Sequence, residues 1–346
     1  MLGKRYLNDG KAVLPLNIIQ LETKKQLENK INSKKYFFEK ILCIVCGSNN
    51  FEQLSEKDRY GLCMSVVICK KCGLVQTNPR MNFDSYNEFY DIEYRKLYNG
   101  TSDASEIFSG QYETGKLIYE YIESVTGESI KKKIIVEIGT GAGGILKFFQ
   151  DHNNEVFGID LGSEFIEYGK KKGLNLEVGT IEKLYSLTQK PDIVICSHIV
   201  EHFLNPIEEL QKLRKFLKPE SVIYVEVPGI RHLTISYYRD FLKYLQNAHT
   251  YHFTLNSLLN CCRKAGFELI SGNEIITSLF KMSKIDNNYQ SDYDSTISFL
   301  KKIENTRSNP LNPFAIKLKI FSLIIFLLEK TRTTRFAKKI YYRSKI

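Results

Sequence analysis

Ile134-Ile-Val-Glu-Ile-Gly139-Thr-Gly141-Ala-Gly143-Gly144, running into Ile145-Leu-Lys-Phe-Phe149, decides the fold of this 346-residue chain. Ile134 to Ile138 is a short apolar run rich in β-branched residues, the mark of a strand buried on both faces. Glycines follow at 139, 141, 143 and 144, and then a stretch that reads as helix. Strand, tight turn and helix in that order let a bare backbone approach a ligand closely. Val156-Phe-Gly-Ile-Asp160 reads as the next strand. Its terminal acid lies 21 residues after Gly139, where a carboxylate takes both hydroxyls of a ribose. The expected fold class is α/β, a Rossmann-like sheet with helices on both faces.

Two cofactor readings compete at the glycine turn. Gly139, Gly141 and Gly144 satisfy the dinucleotide spacing G-x-G-x-x-G of an NAD-dependent dehydrogenase. Glu137 with Gly139, Gly141 and Gly143 instead resembles the first motif of class I methyltransferases that use S-adenosylmethionine. Downstream segments favour the second reading. Asp192 to Pro206, Leu213 to Pro219 with Ser221 to Pro228, and His249 to Thr254 with Ala265-Gly-Phe-Glu268 resemble that family's fourth strand, fifth strand and substrate-side segment. The resemblance implies a cofactor site built from Glu137, Gly139, Gly141 and Gly143 at the methionine end and Asp160 at the ribose. Leu161 is expected on one adenine face, Thr180 and Ile181 at the adenine edge, and Ser197 with His198 near the sulfonium.

Upstream stand two cysteine pairs, Cys43-Ile-Val-Cys46-Gly47 and Cys69-Lys-Lys-Cys72-Gly73, with 22 residues between them. Each Cys-x-x-Cys turn presents two thiolates to one tetrahedral zinc ion, and four thiolates leave no position for water. The ion is therefore expected to be structural, with a short hairpin between the pairs in which Tyr60 to Ile68 is the strand. No apolar stretch long enough for a secretion signal opens the chain, so metal is expected rather than disulfides, in a cytoplasmic protein. Cys63 reads as a small buried hydrophobe, and Cys261-Cys262 as packing within an amphipathic helix.

Cys69 to Arg80, followed by Tyr86 to Tyr98, makes residues 41 to 280 similar to the zinc-ribbon methyltransferases found among sugar-modifying enzymes. The resemblance implies a small-molecule, sugar-type acceptor, such as a nucleotide sugar or a surface-polysaccharide precursor. Three departures stand out. Glu220-Ser221 replaces the usual glycines after Lys218-Pro219, Ala248-His249 replaces a Glu-His pair, and a short basic tail replaces a long carboxy-terminal domain. A hydroxyl acceptor needs a base near neutral pH, for which His249, His198 and His252 are the candidates. His202, beside Glu201, reads as structural. His198-x-x-Glu201-His202 also spells the inverted zinc-protease motif, a reading set aside because a buried strand runs straight into it.

The formal charge of +10 is a property of the tail. Residues 315–346 hold nine Lys or Arg against Glu329 alone, so the rest is nearly neutral. That distribution argues against nucleic acid, and hence against an RNA methyltransferase gripping RNA through its ribbon, the main alternative. A nonenzymatic zinc-ribbon scaffold is the other, opposed by the intact Glu137, Gly139, Gly141 and Asp160. The expected organisation is an arm over 1–40, a ribbon over 41–80, a helical cover over 81–130, the cofactor domain over 131–283 and a helical basic tail over 284–346. Leu14 to Leu21 reads as a strand or an extended arm. The apolar run Ile320 to Leu328, flanked by basic residues, suits either peripheral contact with a membrane or packing on protein.

Overall fold

A computed structural model describes residues 1–98, 104–309, 311–313 and 316. The tail beyond, with its apolar run, lies outside the described residues. Among those described, no helix is long and apolar enough to cross a membrane.

The chain opens with helix α1 (Ile18–Asn32), begun by a capping box in which Asn17 and Gln20 satisfy each other's backbone N–H groups. The expected strand or arm over Leu14 to Leu21 is therefore corrected to a loop and the first turn of a helix. Strand β1 (Phe38–Glu39) pairs with β5 (Arg80–Met81) as a short ladder. Between them β2 (Phe51–Lys57), β3 (Cys63–Cys69) and β4 (Val75–Thr77) form an antiparallel sheet. Cys63 begins β3 in an exposed position, not the buried one expected. Helix α2 (Phe83–Phe89), a π-helical turn (Tyr90–Tyr94) and α3 (Arg95–Tyr98) come next, ahead of α4 (Ala104–Thr126).

The sheet expected from the glycine turn is present. Strands β6 (Ile134–Ile138), β7 (Glu155–Asp160), β8 (Leu176–Val178), β9 (Ile193–Ser197) and β10 (Val222–Glu226) run parallel. Helices α5 (Gly144–Asp151), α6 (Ser163–Lys171) and α7 (Pro206–Arg214) make crossovers between them. After a short α8 (Phe241–Tyr244), β11 (Tyr251–His252) leaves the main sheet and joins the ribbon, giving the order β11-β4-β3-β2. Helix α9 (Leu255–Lys264) precedes β12 (Phe267–Gly272) and an antiparallel β13 (Thr277–Met282), and α10 (Tyr293–Ser308) follows. The main sheet thus reads β12-β13-β10-β9-β6-β7-β8. Its order reverses between β6 and β9, and ligands of open α/β sheets bind at the carboxyl ends of the strands beside such a reversal.

Helices cover both faces. On one side Ile118, Ile122, Leu146 and Phe149 of α4 and α5 pack on Ile135 and Ile195, and each such fully buried side chain contributes about 1.5–3 kcal/mol. Gly144 permits that fit, since a Cβ there would stand 2.1 Å from the Phe108 carbonyl oxygen. The opposite core joins Val136, Val194 and Val225 to Leu213, Leu258 and Cys261, and it continues without a break into Cys43, Cys69, Cys72 and Leu74. The ribbon and the sheet share one interior.

Candidate functional site

At the switch point a cavity of about 1020 Å³ opens between the carboxyl ends of the strands and the cover formed by α2, the π-turn and α3. Gly139 enters it at φ +75°, with Ile199 filling the space where a Cβ would sit. Asp160 closes β7. Its Oδ2 accepts from the Gly141 N–H at 2.9 Å, and its Oδ1 from the Gly162 N–H at 2.7 Å and from Arg95 Nη2 at 3.0 Å. The Arg95 guanidinium lies 3.8 Å from the Phe165 ring centroid, so the arginine spans the cavity edge from the cover to α6.

Of the expected cofactor residues, Gly139, Asp160, Leu161, Thr180 and Ile181 line the cavity. The other four support it from outside. Gly141 braces Asp160, Gly143 is the left-handed N-cap of α5, and Ser197 donates to Glu226 at 3.0 Å. Glu137 is buried beneath the turn and accepts from the Thr140 hydroxyl at 2.7 Å. Burial, with the nearby Asp160 charge, pushes its carboxyl up to about 8 despite the Thr140 bond. A folded-state pKa above the unfolded value near 4.3 stabilises the fold fully below that value, and the contribution is lost as pH rises through 8. Glu137→Gln should therefore flatten the fall in Tm between pH 5 and pH 9 by several degrees, as thermal scans across that range will read.

The histidines divide into two ranks. His198 lines the cavity at φ +54°, a left-handed conformation rare for a residue with a Cβ and recurrent at functional sites. Its ring is open to the cavity but walled elsewhere by protein, so burial tends to lower its pKa. Glu201, 3.5 Å from Nδ1, and Glu226, 3.9 Å from Nε2, outweigh that effect and raise it. His202 also lines the cavity, edge-on to the stacked Tyr90 and Tyr94 rings.

His249 and His252 stand behind this wall and are not lining residues. His249 is 3% exposed, and its imidazole is held well below the ordinary value by burial and by His202 and His252. Burial alone brings His252 down to about 3, its ring lying 6.0 Å from that of His249. Of the three candidate bases, His198 alone lines the cavity.

What the residue pattern did not disclose is Glu201, buried at the centre of His198, His202 and His249. The His198-x-x-Glu201-His202 spacing was the available signal. His249 joins it through the ribbon: Thr77 pairs with the strand leading to β11, its N–H donating to the Thr250 carbonyl and its hydroxyl to that of His249.

The cysteine pairs meet as their spacing implies. Cys43 Sγ lies 3.3 Å from Cys72 Sγ and Cys46 Sγ 3.5 Å from Cys69 Sγ, with all four sulfurs within 4.8 Å of one another and none in a disulfide. The two turns are equivalent, since Gly47 N–H donates to Cys43 O and Gly73 N–H to Cys69 O, each at 2.8 Å. Hydrogen bonds from Cys43 and Cys72 drive the Cys69 thiol down to about 2, while those two partners are pushed up. Four sulfurs this close, with no disulfide among them, make a cluster suited to a soft cation.

Residues 112–271 match the family model of a methyltransferase domain. The chain is 27% identical over 120 residues to the ubiquinone biosynthesis O-methyltransferase of Haemophilus ducreyi, covering 32% of this chain and 50% of the relative. To the protein of the same name from Hydrogenovibrio crunogenus it is 25% identical over 138 residues, covering 38% and 56%. The chain therefore spans about half the length of the curated relatives it matches. Among solved structures it is similar to a SAM-dependent methyltransferase from Archaeoglobus fulgidus, at 23% identity and TM-score 0.37 over 56% of this chain and 88% of that one. It is also similar to magnesium protoporphyrin IX methyltransferase from Synechocystis with bound SAH, at 14% identity and TM-score 0.40 over 58% and 97%.

Proposed function

We propose, from the class I S-adenosylmethionine-dependent methyltransferase domain at residues 112–271, that this chain methylates a hydroxyl oxygen of a sugar-type small molecule. The cofactor fits because the Gly139 turn lines the cavity at positive φ and Asp160 presents a braced carboxylate there. When bound, S-adenosylmethionine supplies the electrophilic methyl carbon. Asp160 takes the ribose hydroxyls once Arg95 yields its place, and Leu161, Thr180 and Ile181 enclose the adenine.

His198 accepts the proton of the acceptor hydroxyl as the new O–CH3 bond forms and the S–CH3 bond breaks. The observation that carries this reading is the position of His198: at positive φ, open to the cavity, with Glu201 and Glu226 on either side to stabilise the imidazolium. Transfer to oxygen agrees with the relatives being O-methyltransferases by name. The ring stack of Tyr90 and Tyr94 suits the flat apolar face of a sugar. Cys43, Cys46, Cys69 and Cys72 would hold zinc as a closed structural ion, keeping β4 in place beside β11.

Calorimetric titration with S-adenosylhomocysteine tests the cofactor assignment. Wild type should bind, and Asp160→Ala should bind at least about 10-fold more weakly, since hydrogen bonds to a charged group contribute about 1.5–3 kcal/mol. Absence of binding to wild type would sink the proposal. Mass spectrometry of nucleotide sugars and glycans from a strain lacking the gene should show a methylated sugar missing.

A further inference from the structure

Among the described residues, Glu201, Gln76 and His252 have every side-chain polar atom buried without a partner, and of these Glu201 is the acid. It is 1% exposed, and neither carboxylate oxygen has a hydrogen-bond partner. A buried carboxylate without donors is expensive, and natural interiors compensate such a charge with donors, ion pairs or a metal. Three imidazoles face Oε1 instead: His198 Nδ1 at 3.5 Å, His202 Nε2 at 3.8 Å and His249 Nε2 at 3.9 Å. These are too long or too poorly aligned to be hydrogen bonds. They are the separations expected of atoms sharing a central ion, because nitrogen and oxygen ligands bound at about 2.0–2.2 Å stand ~3–4 Å apart.

The surroundings prepare His202 as a ligand, while the Gln246 side-chain amide lies against both ring nitrogens of His249. His202 Nδ1 lies 3.0 Å from the Ala248 carbonyl, which can only accept, so Nδ1 carries the proton and Nε2 turns a free lone pair toward Glu201. Backbone contacts pin both loops. Thr250 N–H donates to Glu201 O, and the Tyr86 hydroxyl stands within 2.8 Å of both His202 O and Ala248 O. The ligand atoms of Glu201, His202 and His249 all fall within 4.8 Å of one another.

We infer that Glu201, His202 and His249 form a second metal site, separate from the four cysteines, which takes a divalent first-row cation at the cavity wall that His202 lines. Two imidazoles and one carboxylate are a borderline ligand set that suits Zn2+, Fe2+ or Mn2+ and leaves room for oxygen ligands. Its role rests on the methyl-transfer reading. An ion held there would supply Lewis acidity to the acceptor hydroxyl, whose proton would pass to His198 as O–CH3 forms and S–CH3 breaks, leaving neutral S-adenosylhomocysteine.

The full chain as purified provides the test. Mn2+ is the probe, because it does not compete with zinc for four thiolates. Electron paramagnetic resonance should show one equivalent of Mn2+ bound per wild-type chain, and elemental analysis after zinc loading should show two equivalents of zinc. Glu201→Gln and His249→Gln should weaken Mn2+ binding by about 100-fold while one equivalent of zinc stays. A wild-type chain that binds one zinc and no Mn2+ overturns the inference even if both variants fail to fold. So does undiminished Mn2+ binding in a folded Glu201→Gln. Titration with S-adenosylhomocysteine on the same samples separates the outcomes: cofactor binding without a second metal refutes this site alone, whereas no cofactor binding refutes the methyltransferase reading itself.

Discussion

Cys72→Ser should cost the protein its acceptor side while leaving most of its cofactor side. The expected result is loss of one zinc equivalent, a Tm lowered by roughly 10 °C or more, and methyl transfer reduced at least about 100-fold. Structural zinc sites of this kind bind with about 10–16 kcal/mol in small peptides, so even partial loss exceeds what a domain can spare. The effect travels by a definite route. Strand β4 holds β11 through the pairs Tyr251–Gln76 and His252–Val75, and Thr77 fixes the carbonyls of His249 and Thr250. Without the ion, β3 and β4 lose the knuckles that set their register, and the His249 segment loses its partner. Asp160 and Gly139 stand on β7 and β6, which the ribbon does not pair. S-adenosylhomocysteine affinity should therefore change by less than about 10-fold. Hydrogen exchange locates the damage, with protection falling first at the amides of Tyr251 and His252. Retained protection there, alongside retained transfer in a zinc-free variant, would show that the ribbon positions nothing.

The same topology explains which parts of the site were legible in the residues alone. The glycine turn, Asp160 and the two cysteine pairs are local signals, each contained within a few dozen residues and tied to one requirement of backbone or metal geometry. Gly139 and Asp160 come together because adjacent parallel strands bring their carboxyl ends together. Glu201 and His249 belong to another kind of arrangement. They meet because the four-cysteine ribbon far upstream accepts β11 as its fourth strand, and no local periodicity records that pairing. Arg95 was hidden for the same reason. Its π-turn and α3 read as an aromatic cover, and only the folded chain lays its guanidinium between Asp160 and Phe165. Cys63 shows the opposite failure, since a cysteine at the first position of a strand has no covering layer to bury it.

His198→Gly offers the sharpest separation of chemistry from stability. A left-handed conformation costs a residue with a Cβ about 1–2 kcal/mol, and His198 adopts it at φ +54°. Glycine relieves that strain but adds about 0.5–1 kcal/mol of chain entropy lost on folding. The two nearly cancel, so Tm should stay the same or rise by up to about 3 °C. Turnover should fall by about 10²–10⁴-fold, the span lost when a general base is removed. S-adenosylhomocysteine should still bind, because Asp160 and the glycine turn are untouched. His198→Ala should lose as much activity and also some stability, since alanine keeps the Cβ but not the polar contacts. Steady-state kinetics with thermal scans on both variants decide the matter. A glycine variant that turns over within about 5-fold of wild type would move the proton-accepting role off His198, and the buried Glu201 with its histidines would then have to reach the acceptor directly.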